Sequence, residues 1–339
     1  MNKTEQGVLH LNKLARWLGH ILLPLSFFLS SPTLSETAQK HAPAPKEDTV
    51  ERQVLIVYSP DSTLHTDIIE KLSEDLQRRF TDITISKITP DEQSSKRIKK
   101  TTEKNHVLIV AIGRTGMISA NLNYPNVNKL FISTDPNKYQ LDTVKNKNDA
   151  ILYMTQSYCR QVRFIKLLDP QWKTISILSS QEKPIDVTTI RQCANSYNLK
   201  LYAVSVKDNE NLTKKIKHAL HHSDALLALP DNNIYNSKTV KNILLTSYRY
   251  RKPVIAFSKN FVNAGALASI NSDKEQIAQS ASDLVEQYFN SGQRFTKPVN
   301  HPEAFNININ RQVFRALDKI VPETDKLKQS MLDDSGNLR

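Results

Sequence analysis

Asp231, Asn232 and Asn233 follow the apolar run 225–229 and Pro230, and carry more chemistry than any other short stretch of the chain. A carboxylate at a strand end pairs with a ligand ammonium, and a carboxamide both donates and accepts. The same residue types cap helices by accepting from the first free backbone N–H groups, and the two roles can coexist. Gly113-Arg114-Thr115 forms a second constellation, in which Gly allows close backbone approach, Thr supplies a hydroxyl and Arg pairs with an anion. Its plainer reading is a β–α turn with a surface arginine. Thr134, ahead of Asp135-Pro136, is either a ligand contact or the start of a turn. Ser59, Gln156, Ser180 and Ser258 join the candidates by strand-end position alone. Such positions matter because helix N-termini beside them favour carboxylate or phosphate.

Catalytic and cofactor signatures are missing. With seven glycines there is no G-x-G-x-x-G, no G-K-[ST] phosphate loop and no G-x-S-x-G elbow, so no cofactor and no enzyme activity are expected. His221-His222 are adjacent and cannot turn both rings to one helical face, and His65, His106 and His218 are read as lacking companions at ligand spacing. No metal site is expected.

The candidates hang on a repeating framework. Continuous apolar runs at 54–58, 107–112, 130–135, 150–155, 174–178, 201–206, 225–229 and 254–257 read as buried strands, with a further strand over Ile83, Ile85 and Ile88. Between them lie helical patterns such as Leu64, Ile68, Leu72 and Leu76, a polar helix over 92–104, and Ile277, Ala281, Leu284, Val285 and Tyr288. Two rounds of β–α repeats predict an α/β fold of two Rossmann-like lobes, each a parallel sheet with helices on both faces, with ligands at the strand ends.

The chain has 339 residues, enough for two domains, with 24% charged and 39% hydrophobic residues, the balance of a globular protein. Lys3, Lys13 and Arg16 precede the apolar stretch 17–29 and small residues to Ala38, the layout of a secretory signal peptide, with an uncleaved anchor as the alternative. A periplasmic location follows from the first reading. Two cysteines in an exported chain can form one disulfide, but Cys159 and Cys193 fall inside predicted helices, and free half-buried thiols are the expectation. The formal charge of +12 is spread over scattered lysines on helix faces, so no nucleic-acid partner is expected.

Asp224-Ala225, Pro230-Asp231-Asn232, Lys252-Pro253-Val254 and Val262-Asn263-Ala264-Gly265-Ala266-Leu267-Ala268 stand in register. In that order and spacing they resemble the ABC-transporter substrate-binding family that includes the tryptophan and tyrosine binders, over about Val54 to Leu317. The resemblance implies the periplasmic binding protein type I fold, with the aspartate and asparagine at 231 and 232 facing the interlobe cleft. It also implies hinge closure on a small amino acid, anion or zwitterion, and delivery to an ABC permease. A sensory module reporting to a membrane receptor is the alternative, an exported enzyme the second, and monomer the default state. The expected organisation is signal peptide 1–38, linker 39–51, first lobe 52–152 plus 272–297, second lobe 153–271 plus 298–322, and polar tail 323–339. The resemblance implies three passages between lobes, near Tyr153, Asn271 and Val299. Ser258-Lys259 stands where many relatives carry an acid, which makes a zwitterion less secure as the ligand and suits a more acidic one.

Overall fold

A computed structural model describes residues 52–90, 106–133, 146–182, 185–207 and 211–333. The leader and linker segments, the predicted helix 92–104 and Thr134 lie outside the described residues. Among the described residues no helix is long and apolar enough to cross a membrane.

The first sheet contains β1 (Arg52–Tyr58), β2 (Ile83–Ile88), β3 (Val107–Ile112), β4 (Lys129–Ser133), β5 (Ala150–Tyr153) and, from much later in the chain, β11 (Val299–Asn300). Their order is β11-β5-β4-β3-β1-β2, and every pair is parallel. Unbroken apolar runs are required here because alternate side chains enter different cores. Val54 and Ile56 pack with Leu108 and Val110 under α1 (Thr63–Arg79) and α8 (Lys274–Asn290). Leu55 and Val57 pack with Ile109 and Ala111 on the opposite face, under α2 (Gly113–Asn123). Each such buried side chain contributes about 1.5–3 kcal/mol. Ion pairs tie α1 to α8, from Lys274 to Asp67 at 2.7 Å and from Arg79 to Glu286 at 2.6 Å and Asp283 at 2.8 Å.

The second sheet runs β12-β10-β9-β8-β6-β7. Its strands are β6 (Thr174–Ser180), β7 (Lys200–Val206), β8 (Ala225–Leu227), β9 (Val254–Ala256), β10 (Ala268–Asn271) and β12 (Asn306–Ile309). One face packs on α3 (Tyr158–Leu168), α4 (Val187–Ser196), α9 (Arg311–Ala316) and α10 (Thr324–Asp333). The other packs on α5 (Leu212–His221), α6 (Val240–Arg249) and α7 (Lys259–Asn263). The sheet is parallel except that β12 pairs antiparallel with β10, a departure from the expected all-parallel lobe. β12 enters from the first sheet beside the carboxyl end of β10, with Asn306 opposite Asn271, and so runs back along it.

The chain passes between the sheets at 154–157, 272–273 and 301–305. Val299 and Asn300 pair with Ile151 and Leu152, so the last passage starts beyond residue 300, later than the boundary at 298 read from the sequence.

Two expectations are corrected. The polar tail forms α10, whose Leu327 and Met331 are buried against the second core, while the Arg163 guanidinium donates to the Ser330 and Met331 carbonyls. Two apolar residues at i,i+4 in a polar segment were too few to signal packing. Cys159 and Cys193 form a disulfide. Helical periodicity locates each cysteine on its own helix but says nothing about neighbouring helices; α3 and α4 bring the two Cα atoms to 4.8 Å, inside bridging range.

The bridge links positions 34 residues apart, for which loop-closure entropy gives about 3–4 kcal/mol. The Cys159→Ser/Cys193→Ser double variant is therefore expected to lose that much unfolding free energy and to unfold at a lower urea concentration. An unfolding midpoint insensitive to both the substitutions and dithiothreitol would contradict it.

Candidate ligand-binding cavity

The carboxyl ends of the two sheets border a cavity of 530 Å³. Crevices at strand carboxyl ends are where open α/β sheets hold ligands. The first-sheet side contributes Leu64 from α1 and Lys274 and Ile277 from α8. Opposite stand Pro230 and Asn232 after β8, and Phe257, Ser258, Lys259 and Asn260 after β9. The passages supply Met154, Thr155, Ser272 and Asp273. Leu64, Met154, Phe257 and Ile277 give the wall an apolar part.

Several polar groups of the wall are already engaged. The Asp273 carboxylate N-caps α8, accepting from Gln276 N–H at 2.9 Å, and its second oxygen accepts from Asn306 Nδ2 at 2.7 Å. Lys274 pairs with Asp67, Ser272 Oγ donates to the Ala304 carbonyl at 2.8 Å, and Ser258 Oγ N-caps α7. Others are uncommitted. Among the described residues no partner meets the Asn232 or Asn260 carboxamide or the Lys259 ammonium. The Thr155 hydroxyl is buried with no hydrogen-bond partner among the described residues.

The sequence candidates divide accordingly. Asn232 and Ser258 line the cavity. Asp231 does not: it is 2% exposed, and its carboxylate accepts from Ser180 N–H at 2.8 Å and Asn233 N–H at 3.0 Å. The reason is local. The chain turns sharply after β8, and its free N–H groups, with that at the end of β6, need an acceptor that water cannot supply in a buried position. Asn233 extends the knot, donating to Ser180 Oγ at 3.3 Å and Glu182 at 2.8 Å. Burial, and then the Asp231 charge, push the phenol of the neighbouring Tyr235 above its ordinary range.

Gln156 is also 2% exposed and joins the passages, donating to Ser272 Oγ at 2.6 Å and the Pro302 carbonyl at 3.3 Å. Ser59 hydrogen-bonds Asp61 at 2.7 Å. Arg114 and Thr115 stand exposed on the first turn of α2, outside the residues that wall the cavity. Gly113 does permit a close approach, but of protein: its φ is +70°, and a Cβ there would meet the His65 ring at 2.5 Å. Thr134 lies outside the described residues.

Sequence reasoning passed over Leu64, Thr155, Asn260, Ser272, Asp273 and Lys274 as lining. The proximity of 155 and 272 to expected passages was the available signal. His218 does have a companion at i,i+4: its ring centroid lies 4.6 Å from that of His222, and its Nε2 meets Tyr202 Oη at 2.6 Å. Among the described residues no group of three or more His, Cys, Asp or Glu side chains converges as a metal site.

Asp231→Asn is expected to destabilise the protein by about 1.5–3 kcal/mol, the worth of hydrogen bonds to a charged group, while ligand-induced stabilisation persists. Urea unfolding with and without ligand checks both parts. A second test concerns His301 on the third passage, whose Nδ1 bonds the Thr155 carbonyl at 2.7 Å. Burial holds this imidazole below its ordinary range, with the bond to Thr155 opposing and Arg160 adding to the depression. The unfolded chain then takes up this proton near pH 6.5 while the folded chain does so only at lower pH. Stability is present above that value and declines as pH falls through it towards the folded pKa. His301→Asn should show a shallower decline between pH 7 and 5; an unchanged slope would contradict the assignment.

Residues 26–329 match the family model described as ABC transporter substrate binding protein. The Tyrosine-binding protein of Clostridioides difficile (strain R20291) is 22% identical over 179 residues, 52% of this chain and 51% of that protein. The match therefore spans about half the length of that curated relative. A ligand-free, open substrate binding protein with adhesive properties from Clostridium difficile superposes with a TM-score of 0.61 at 17% identity, covering 81% of this chain and 97% of its own. An ABC domain in complex with L-Trp from Streptococcus pneumonia gives 0.53 at 16% identity, covering 84% and 99%. At such identities these likenesses bear on the fold, which is the two-lobed α/β periplasmic binding protein type I architecture. With nine-tenths of its length under one family model, the chain belongs to the ABC transporter substrate binding protein family.

Proposed function

We propose that this protein captures a small molecule in the cavity between its sheets, closes on it by bending at the three passages, and presents it to an ABC permease. The observation that carries this reading is the composition of the cavity wall. Residues from both sheets face one 530 Å³ space, and the side chains of Asn232, Lys259 and Asn260 stand on one side of it without partners among the described residues. A ligand contacting both sides binds a closed arrangement more tightly than an open one, which is the requirement for ligand-driven closure. The tyrosine-binding relative and the neighbour holding L-Trp make amino acids and other small zwitterions or anions the ligands to test first.

Work outside the cytoplasm fits the disulfide, since such bridges persist in oxidising compartments. It also fits the basic and then apolar N-terminal segment, read as an export signal.

A thermal-shift screen of residues 39–339 against amino acids, small carboxylates and nucleosides tests capture. A ligand at a hundredfold excess over its Kd stabilises by about 2.7 kcal/mol. Asn232→Ala is expected to weaken the response without lowering the ligand-free midpoint, and small-angle scattering should register contraction on binding. A broad library without a shift, or binding without contraction, would sink capture by closure.

A further inference from the structure

We infer that the ligand is a small organic anion with an apolar body and no free ammonium group, recognised through Lys259. This rests on the capture reading and specifies its substrate class. Among the described residues the cavity wall has three formally charged side chains, Lys259, Asp273 and Lys274. Lys274 is neutralised by Asp67 at 2.7 Å. Asp273 is held by two donors, the Gln276 amide at the start of α8 and the Asn306 carboxamide of β12. Lys259 alone carries a charge with no partner among the described residues.

The second acid near the cavity is equally committed. Asp231 is buried, with both oxygens on backbone N–H groups, and turning it towards a ligand ammonium would orphan Ser180 N–H and Asn233 N–H. A buried donor left unpaired costs about 1–3 kcal/mol, so this carboxylate is a poor counter-ion for an amine. Asp273 would similarly have to share an oxygen already bonded. Among the described residues, the charge on the wall that is left without a hydrogen-bond or ion-pair partner is thus positive.

The remaining uncommitted groups agree with an anion. The Asn232 and Asn260 carboxamides each provide N–H donors beside Lys259, and the buried Thr155 hydroxyl can donate once. Leu64, Met154, Phe257 and Ile277 supply apolar surface for the body. A small carboxylate on a hydrocarbon or aromatic body satisfies both halves.

The test compares ligands that differ only in charge. Three bodies, phenyl, indolyl and isobutyl, are each presented as the carboxylate, the α-amino acid and the amine, for example 3-phenylpropanoate, L-phenylalanine and 2-phenylethylamine. Calorimetry on the mature chain should rank the carboxylate first within at least one triplet, about tenfold or more ahead of the amino acid, as a charge-assisted hydrogen bond implies. Lys259→Gln should weaken carboxylate binding about tenfold and Lys259→Glu should move the preference towards the amine. Lys173→Gln, away from the cavity, should change neither. Amino acids binding as tightly as their carboxylates, or an affinity indifferent to Lys259→Gln, would overturn the charge assignment and leave capture standing. Silence from every triplet, together with an unresponsive wider library, would overturn both.

Discussion

Three passages side by side impose the constraint on which the rest of the molecule depends. Backbone leaving a sheet loses its ladder partners, and buried N–H and C=O groups must be satisfied by something else. Side chains take over here. Gln156 reaches Ser272 and the Pro302 carbonyl, Arg160 donates to Pro302 at 2.8 Å, Ser272 reaches Ala304, and His301 meets the Thr155 carbonyl. The bonds of Gln156, Ser272 and His301 join one passage to another, and Arg160 ties the first turn of α3 to the third passage, so the three form a single laced strip. That strip fixes Met154, Thr155, Ser272 and Asp273 as one border of the cavity. The proposed closure would change backbone torsions here without opening either core, because those cores lie on the two sheets.

The second sheet solves a related problem at its own carboxyl edge. β8 is three residues long, and after 228–230 the chain turns through 231–236. Asp231 anchors that turn to the end of β6, leaving Asn232 on the cavity side. One acidic side chain therefore secures the backbone while its neighbour remains available. The arrangement explains why a buried carboxylate is tolerated at all: it replaces water for two amides and gains charge-assisted bonds in return.

Much of this was legible in the residues. Runs such as 107–112 are apolar throughout because alternate side chains enter opposite cores, and that pattern alone separates a doubly covered strand from an edge. The β–α rhythm and its restart after residue 150 followed directly. What could not be read was direction and neighbourhood. Asp231 and Asn232 are adjacent and chemically similar, yet one turns inward and the other outward, a choice made by the end of β6 some fifty residues earlier. The Cys159–Cys193 bridge depends on how α3 lies against α4, and periodicity within either helix is silent about that. α10 shows the converse: its polar composition concealed two buried residues and a carbonyl end held by Arg163.

Charge links the cavity to the motion proposed for it. Lys259 is exposed at the start of α7 and, facing water, needs no partner. Closing the sheets on an empty cavity would strip water from that ammonium without a described acid to meet it, since Asp231 and Asp273 already hold other donors. Desolvating an unpaired charge costs several kcal/mol, so under the proposed closure the empty protein would favour the open arrangement. An anion reverses the balance, because its attraction to Lys259 strengthens as water leaves and the effective dielectric falls. A zwitterion would gain the same contact but bring an ammonium that meets no uncommitted acid among the described residues of the wall. Selection among ligands and control of closure would then reside in the same unpaired lysine, each following from which charge the wall has left unanswered.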